Sequence, residues 1–405
     1  MIISDVCEKE IEGELELSAT VAYETEPVET CRFWMRRPLA YGTLEAPGDP
    51  LLVAFLLPCM ALRENLRIHA AVTDELLSSV RSNLIPTSLE WHPDFSEVEI
   101  TADKTVSASE ARTQDQVGAF FSGGVDSWHS MIGNLDRVTH LIHMRGFEIE
   151  HDNEALWAFA HNHVQEGAKQ FGKTVIPVSS NMTNIGELKT RERLRAVGRP
   201  YEEFGVKVYS GCMLVSMALL LANRMKLGIV PSSWTLDVEP PLGSHPLIEP
   251  KLSTSLCAFS LDGCDASRIE KIRFLKEKAP ESLRGLRVCI DNSPENAQKI
   301  NCGECIKCVR TLLELRACKA MSLCESFDKP PDLAALKRKQ LLWGTLEFWD
   351  DIRKAAREEG DTELADTVSI ILGDKFYFPR AFRAWSRSRK RAWKDLRRRL
   401  GLRSR

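Results

Sequence analysis

The stretch Ala119-Phe120-Phe121-Ser122-Gly123-Gly124-Val125-Asp126-Ser127 decides how this 405-residue chain is read. Val117–Phe121 is a short apolar run that reads as a buried strand, and a helical pattern opens directly after it. The two adjacent glycines therefore fall in a strand-to-helix turn. They let the backbone bend tightly and approach a ligand closely. Backbone N–H groups at such a turn, with the helix N-terminus behind them, form an anion cradle. Ser122 and Ser127 add hydroxyl donors for phosphate oxygens. Asp126 would repel a phosphate, so the expected role is on the metal side, holding Mg²⁺ or its waters against a triphosphate. The Gly-Lys-Ser/Thr ending of a Walker A loop is absent.

Around this turn the chain alternates short apolar runs with amphipathic ones. Val138–His143, Thr174–Val178, Gly228–Pro231 and Leu286–Ile290 read as further strands. Asn153–Phe171, Cys212–Lys226 and Asp265–Lys278 read as helices. Strand–helix alternation implies a parallel, twisted sheet with helices on both faces, an α/β Rossmann-like fold whose ligands sit at the carboxyl ends of the strands. The base of a nucleotide would then lie near His143 and Met144, at the end of the second strand, with Ser232 and Ser233 lining the same crevice.

A second signal is Cys302-Gly303-Glu304-Cys305-Ile306-Lys307-Cys308. Three thiols at i, i+3 and i+6, with a glycine that permits a knuckle turn, invite a soft tetrahedral metal, by default zinc. Cys289 is the favoured fourth ligand, with Cys318 and Cys324 as alternatives. Four filled positions would make such a site structural. Lys307 and Arg310 beside the knuckle either face the crevice or are solvated.

The full string SGGVDS resembles the PP-loop of the ATP pyrophosphatases, the adenine nucleotide α-hydrolase-like superfamily. Together with C…CGxCxxCxR ending at Arg310, it is most similar to the 7-cyano-7-deazaguanine synthase family. The resemblance covers about residues 117–325. It implies a HUP-type PP-loop fold, with Ser122, Gly123, Gly124, Val125, Asp126 and Ser127 gripping the pyrophosphate of ATP and Asp126 and Ser127 serving catalysis. It further implies Zn²⁺ on Cys289, Cys302, Cys305 and Cys308, and a homodimer. The implied activity is ligase-like: ATP adenylates a small-molecule acid, pyrophosphate leaves, and a nitrogen nucleophile displaces AMP. The gap from Cys289 to Cys302 is longer than that family's usual spacing. The alternatives are a PP-loop tRNA sulfurtransferase, for which Cys212 would be the reactive thiol, and a non-catalytic nucleotide-binding module.

Outside that region, residues 1–115 look β-rich and accessory. Leu15, Leu17, Ala19, Val21 and Tyr23 alternate as in a half-buried strand, Leu51–Leu57 and Val98–Thr101 read as strands, and Ala71–Ser82 as a helix. Residues 103–116 are polar and suit a linker into the ATP-binding region, 116–325. Residues 326–374 read as a helical extension. Lys189, Arg191, Arg193, Arg195 and Arg199 read as a solvated helix face or as a flap over phosphates.

The formal net charge of −3 hides an asymmetry. Residues 375–405 carry 13 Lys and Arg against one acid, Asp395, for +12, while the first 374 residues carry 41 bases and 56 acids, for −15. Trp385 and Trp393 are interleaved with the tail's bases. That composition suits nucleic-acid phosphates, an anionic membrane surface, or docking on the acidic body. The acidic N-terminus lacks the pattern of a secretory signal, and the 12 cysteines are mostly scattered, so a cytoplasmic chain with free thiols is expected. Composition of 43% apolar and 27% charged residues excludes collagen-like and disordered classes.

Overall fold

The computed structural model describes residues 1–25, 28–107, 115–238, 241–336 and 346–373. The 375–405 tail and half of the expected linker, residues 108–114, lie outside the described residues.

Six strands precede the Gly-Gly turn: β1 (Ile2–Ile11), β2 (Glu14–Tyr23), β3 (Glu29–Pro38), β4 (Leu66–Thr73), β5 (Ile100–Val106) and β6 (Gln116–Phe120), which leads into it. Four follow: β7 (His140–Arg145), β8 (Thr174–Ser180), β9 (Met225–Pro231) and β10 (Ala258–Asp262). All ten join one sheet in the order β10-β9-β6-β7-β8-β3-β2-β1-β4-β5. The pairs β10/β9, β9/β6, β6/β7 and β7/β8 are parallel. The first half of the chain attaches through an antiparallel β3/β8 pair, Met35 opposite Ser180 and Arg36 opposite Ser179. The β-rich character expected of residues 1–115 is present, and its strands extend the α/β sheet itself.

The helices before the turn are α1 (Gly48–Leu62), α2 (Asp74–Ser79) and α3 (Ile85–Trp91). After it come α4 (Val125–Gly133), α5 (Glu154–Gln170), α6 (Lys189–Ala196), α7 (Ser210–Leu219), α8 (Arg268–Lys278), α9 (Glu281–Arg284), α10 (Ile306–Ala317), α11 (Leu333–Leu336), α12 (Leu346–Glu358) and α13 (Thr362–Gly373). Successive strand residues enter opposite cores, as the pleat requires. Phe120, Ile142 and Val230 join the apolar cluster with α1 and α7. Phe121, Leu141 and Ile229 join the one with α4, α8, α10, α12 and α13.

Three expectations are corrected. Leu51–Leu57 is helical, inside α1, all 15 of whose residues are buried. A uniformly apolar run has no period to separate helix from strand, and the run's continuation to Leu62 is the length of a helix. Leu286–Ile290 joins no strand. Its backbone is spent elsewhere: Arg287 N donates to Gly123 O at 2.9 Å and Val288 N to Asn301 Oδ1 at 2.9 Å. The remaining parallel strand is β10 instead. Ala71–Ser82 begins as β4. Helix starts only at Asp74, where Thr73 Oγ1 accepts from Leu76 N and the Thr73 hydroxyl and N–H both donate to Asp49.

No helix among the described residues is long and apolar enough to cross a membrane.

Candidate functional site

The strand order reverses at β6: its chain successor β7 pairs on one side, β9 on the other. A crevice opens outside the carboxyl end of a strand at such a point. It encloses about 960 Å³ of space, its open mouth included, and is lined by Ser122 and Gly124–Ser127 of the loop, by His143 and Met144 at the end of β7 and Glu148 after it, by Ser233 after β9, and by Arg268, Arg287, Lys307 and Arg310. The structure thus brings the expected phosphate loop and three of the four expected base-side residues to one cavity. Ser232 instead turns its hydroxyl to the Trp234 carbonyl at 2.8 Å and its own carbonyl to Lys271.

Gly123 adopts φ +82°, the left-handed region that an L side chain enters at a cost. Gly124 is extended and starts α4. No side chain caps that helix, and Ser127 Oγ turns back to Gly124 O at 2.9 Å. The N–H groups of the first turn therefore face the crevice without a side-chain acceptor.

Asp126 has different partners from the metal expected. Its Oδ2 accepts from Arg268 Nη1 at 2.5 Å and from Ser233 Oγ at 2.9 Å, and its Oδ1 from Lys271 Nζ at 3.1 Å. Burial would raise its pKa, but the Arg268 and Lys271 cations outweigh burial and hold the carboxyl well below the usual carboxylate range. Arg268 is itself anchored from behind. Its Nε lies 3.0 and 3.1 Å from the two oxygens of buried Glu314, and its Nη2 reaches Thr311 Oγ1 at 3.3 Å. A divalent cation at Asp126 would be a third cation on one carboxylate. The cations at this carboxylate are instead already supplied by the chain.

His143 is 2% exposed and stacks on Trp157 and His161 of α5, with its Nδ1 3.0 Å from His161 Nδ1. Burial, with His161 and Arg287 nearby, pushes its pKa well below the ordinary histidine value, so it is neutral. Glu148 pairs with Lys307 at the crevice wall.

The Sγ atoms of Cys289, Cys302, Cys305 and Cys308 all lie within 4.8 Å of one another. The spans Cys289–Cys305 and Cys302–Cys308 are 4.0 and 3.9 Å, close to the edge of about 3.8 Å that four sulfurs 2.3 Å from a tetrahedral zinc would have. Backbone N–H groups of Cys302 and Asp291 point at Cys289 Sγ, and those of Glu304 and Cys305 at Cys302 Sγ, at 3.2–3.5 Å. Such donors stabilise thiolates and orient ligands. The donor set fits zinc, and all four expected ligands are together in a cluster that could hold it. Cys318 and Cys324 are elsewhere, beside the Ile269 carbonyl and Ser326. Gly303, at φ +75°, makes the knuckle turn.

Cys305 N-caps α10, so the knuckle fixes the start of the helix that carries Lys307 and Arg310 into the crevice. Arg310 lies over the Phe348 ring at 4.3 Å, and burial together with repulsion from Arg268 pushes its pKa down to about 10. Two other sequence readings resolve plainly. Cys212 is fully buried in α7, and burial pushes its thiol up, away from the reactive thiolate expected of a sulfur carrier. The basic run of α6 does not line the crevice. Lys189 and Arg193 pair with Glu29, and Arg191 and Arg195 with Glu202.

Sequence reasoning missed Arg268, Lys271, Glu314, Glu148 and Arg287. Only the capping box Ser267–Glu270 ahead of the first two is a local signal, and it marks a helix start rather than a site. No family model, curated protein or solved structure matches this chain.

Proposed function

We propose that the crevice binds ATP and that the chain uses it to adenylate a substrate. One observation carries this reading. An SGGVDS loop stands at the carboxyl end of β6, where the strand order reverses, and opens an uncapped helix into a cavity lined by four basic side chains. The loop N–H groups and Ser122 take the departing phosphates. Arg268 and Lys271, held in place by Asp126 and Glu314, supply fixed positive charge beside them. The base lies toward Met144 and His143.

In the reaction, an acceptor oxygen, of a carboxylate by preference, attacks the α-phosphorus. The new P–O bond forms as the bond to pyrophosphate breaks. A nitrogen nucleophile then attacks the activated carbon, AMP leaves with the C–O electron pair, and the nucleophile loses a proton. This follows the 7-cyano-7-deazaguanine synthases that residues 117–325 resemble. Zinc on the four cysteines would be structural, since no ligand position is left open for chemistry.

The test is exchange of labelled pyrophosphate into ATP by zinc-loaded, full-length protein supplied with a small-molecule acid fraction from cells. Acid-dependent exchange that Asp126→Ala removes supports the reading. Absence of exchange together with absence of ATP binding defeats it.

A further inference from the structure

We propose that Arg287 binds the α-phosphate of the nucleotide, an assignment that rests on the ATP reading above and adds to it a residue that neither loop nor knuckle contains. The crevice has four basic side chains, and three are already compensated. Arg268 pairs with Asp126 and Glu314, Lys307 with Glu148, and Arg310 with Glu314 at 3.5 Å and the face of Phe348. Arg287 is the exception. It is 3% exposed, its Nε has no hydrogen-bond partner, and it forms no salt bridge among the described residues. Of the groups whose charge acts on it, Glu148 is already taken by Lys307, and Cys289 and Cys308 belong to the knuckle. A buried, unpaired cation costs free energy unless something in the cavity answers it, and a guanidinium presents a planar fork of donors that matches an oxyanion.

Position selects which oxyanion. The Arg287 backbone is tied to the turn itself, its N–H donating to Gly123 O at 2.9 Å. Its side chain lines the crevice and acts electrostatically on His143 at the end of β7. It therefore lies between the loop that takes the terminal phosphates and the strand end that faces the base. The phosphate on the base-proximal side of that path is the α-phosphate. It is also where negative charge builds when an acceptor oxygen adds, so the same fork serves ground state and transition state.

Equilibrium binding of AMP and of adenosine to full-length wild type, Arg287→Gln and Arg287→Lys tests this. AMP affinity falls about tenfold or more in Arg287→Gln, as loss of a charged hydrogen bond requires, and less in Arg287→Lys. Adenosine affinity stays within about twofold in both, which also shows that the variants are folded. Unchanged AMP affinity in Arg287→Gln overturns the assignment and leaves the ATP reading standing. A parallel fall for AMP and adenosine in both variants overturns it in favour of a brace for the loop. Wild-type protein that binds none of ATP, AMP or adenosine overturns the ATP reading and the assignment with it.

Discussion

Arg268 Nη1 donates to Asp126 Oδ2 at 2.5 Å across 142 residues of chain. This contact ties the SGGVDS loop to α8, and through Glu314 to α10, the helix that the cysteine knuckle starts. The loop, the cations behind it and the metal-type site are therefore one connected unit.

Arg268→Met should be among the most destabilising substitutions in the chain. It leaves Asp126 with Lys271 as its one cation partner, beside the Ser233 hydroxyl, and Glu314 with the more distant Arg310, and breaking a buried pair costs about 3–5 kcal/mol. Urea unfolding of the variant against wild type measures it. In Arg268→Met/Glu314→Gln part of the loss returns, because one orphaned charge is removed. A double variant no more stable than the single one would contradict the coupling.

Stability should fall as pH rises toward and past neutrality, through Glu249. This carboxyl is fully buried, accepts from Ser244 Oγ and from His245 N at 2.9 Å, and has a pKa pushed up to about 7 by burial. A folded-state pKa above the unfolded value means that the contribution is complete below about pH 4.3 and is lost as pH rises through about 7. The whole effect is about 4 kcal/mol at 1.36 kcal/mol per unit. Glu249→Gln keeps an acceptor for His245 N and offers an amide N–H to the Ser244 hydroxyl oxygen in place of the present acceptor, so its unfolding free energy should be flatter between pH 5 and 8.

Metal content should separate the cysteines. Native mass spectrometry of wild type should show one zinc per chain, retained in Cys318→Ser and Cys324→Ser and lost in Cys289→Ser and Cys308→Ser. Loss of zinc should also weaken ATP binding, because Cys305 caps the helix carrying Lys307 and Arg310. Zinc retained at full stoichiometry in Cys289→Ser would remove that residue from the set.

Gly123→Ala should cost about 1–2 kcal/mol, the penalty for a side chain in left-handed backbone. Gly124→Ala, at extended backbone, should cost markedly less. Equal costs in thermal unfolding would mean that the turn relaxes.

The sequence makes local chemistry legible and distant partnerships not. SGGVDS and CGECIKC announce themselves because their spacing along the chain is their geometry. β6, β7, β8 and β9 were readable because each is a short apolar run bounded by turn residues. α1 was misread because a segment buried all round has no polar face to reveal its period. The extended course of Leu286–Ile290 depends on Gly123 and Asn301, which no local pattern indicates. The same holds for Arg268, Lys271 and Arg287. Each is an ordinary surface residue by sequence, and only the fold brings it to the loop. The continuous sheet was hidden for a related reason, since it depends on the two-residue register of β3 against β8.

The central claim is that the loop and its cations form an ATP site whose phosphate end holds pyrophosphate. Calorimetric titration of full-length, zinc-loaded protein with MgATP, with and without saturating pyrophosphate, tests it most directly. The account predicts saturable binding that pyrophosphate abolishes by competition. No saturable binding of ATP, or binding that pyrophosphate leaves unchanged, would contradict it.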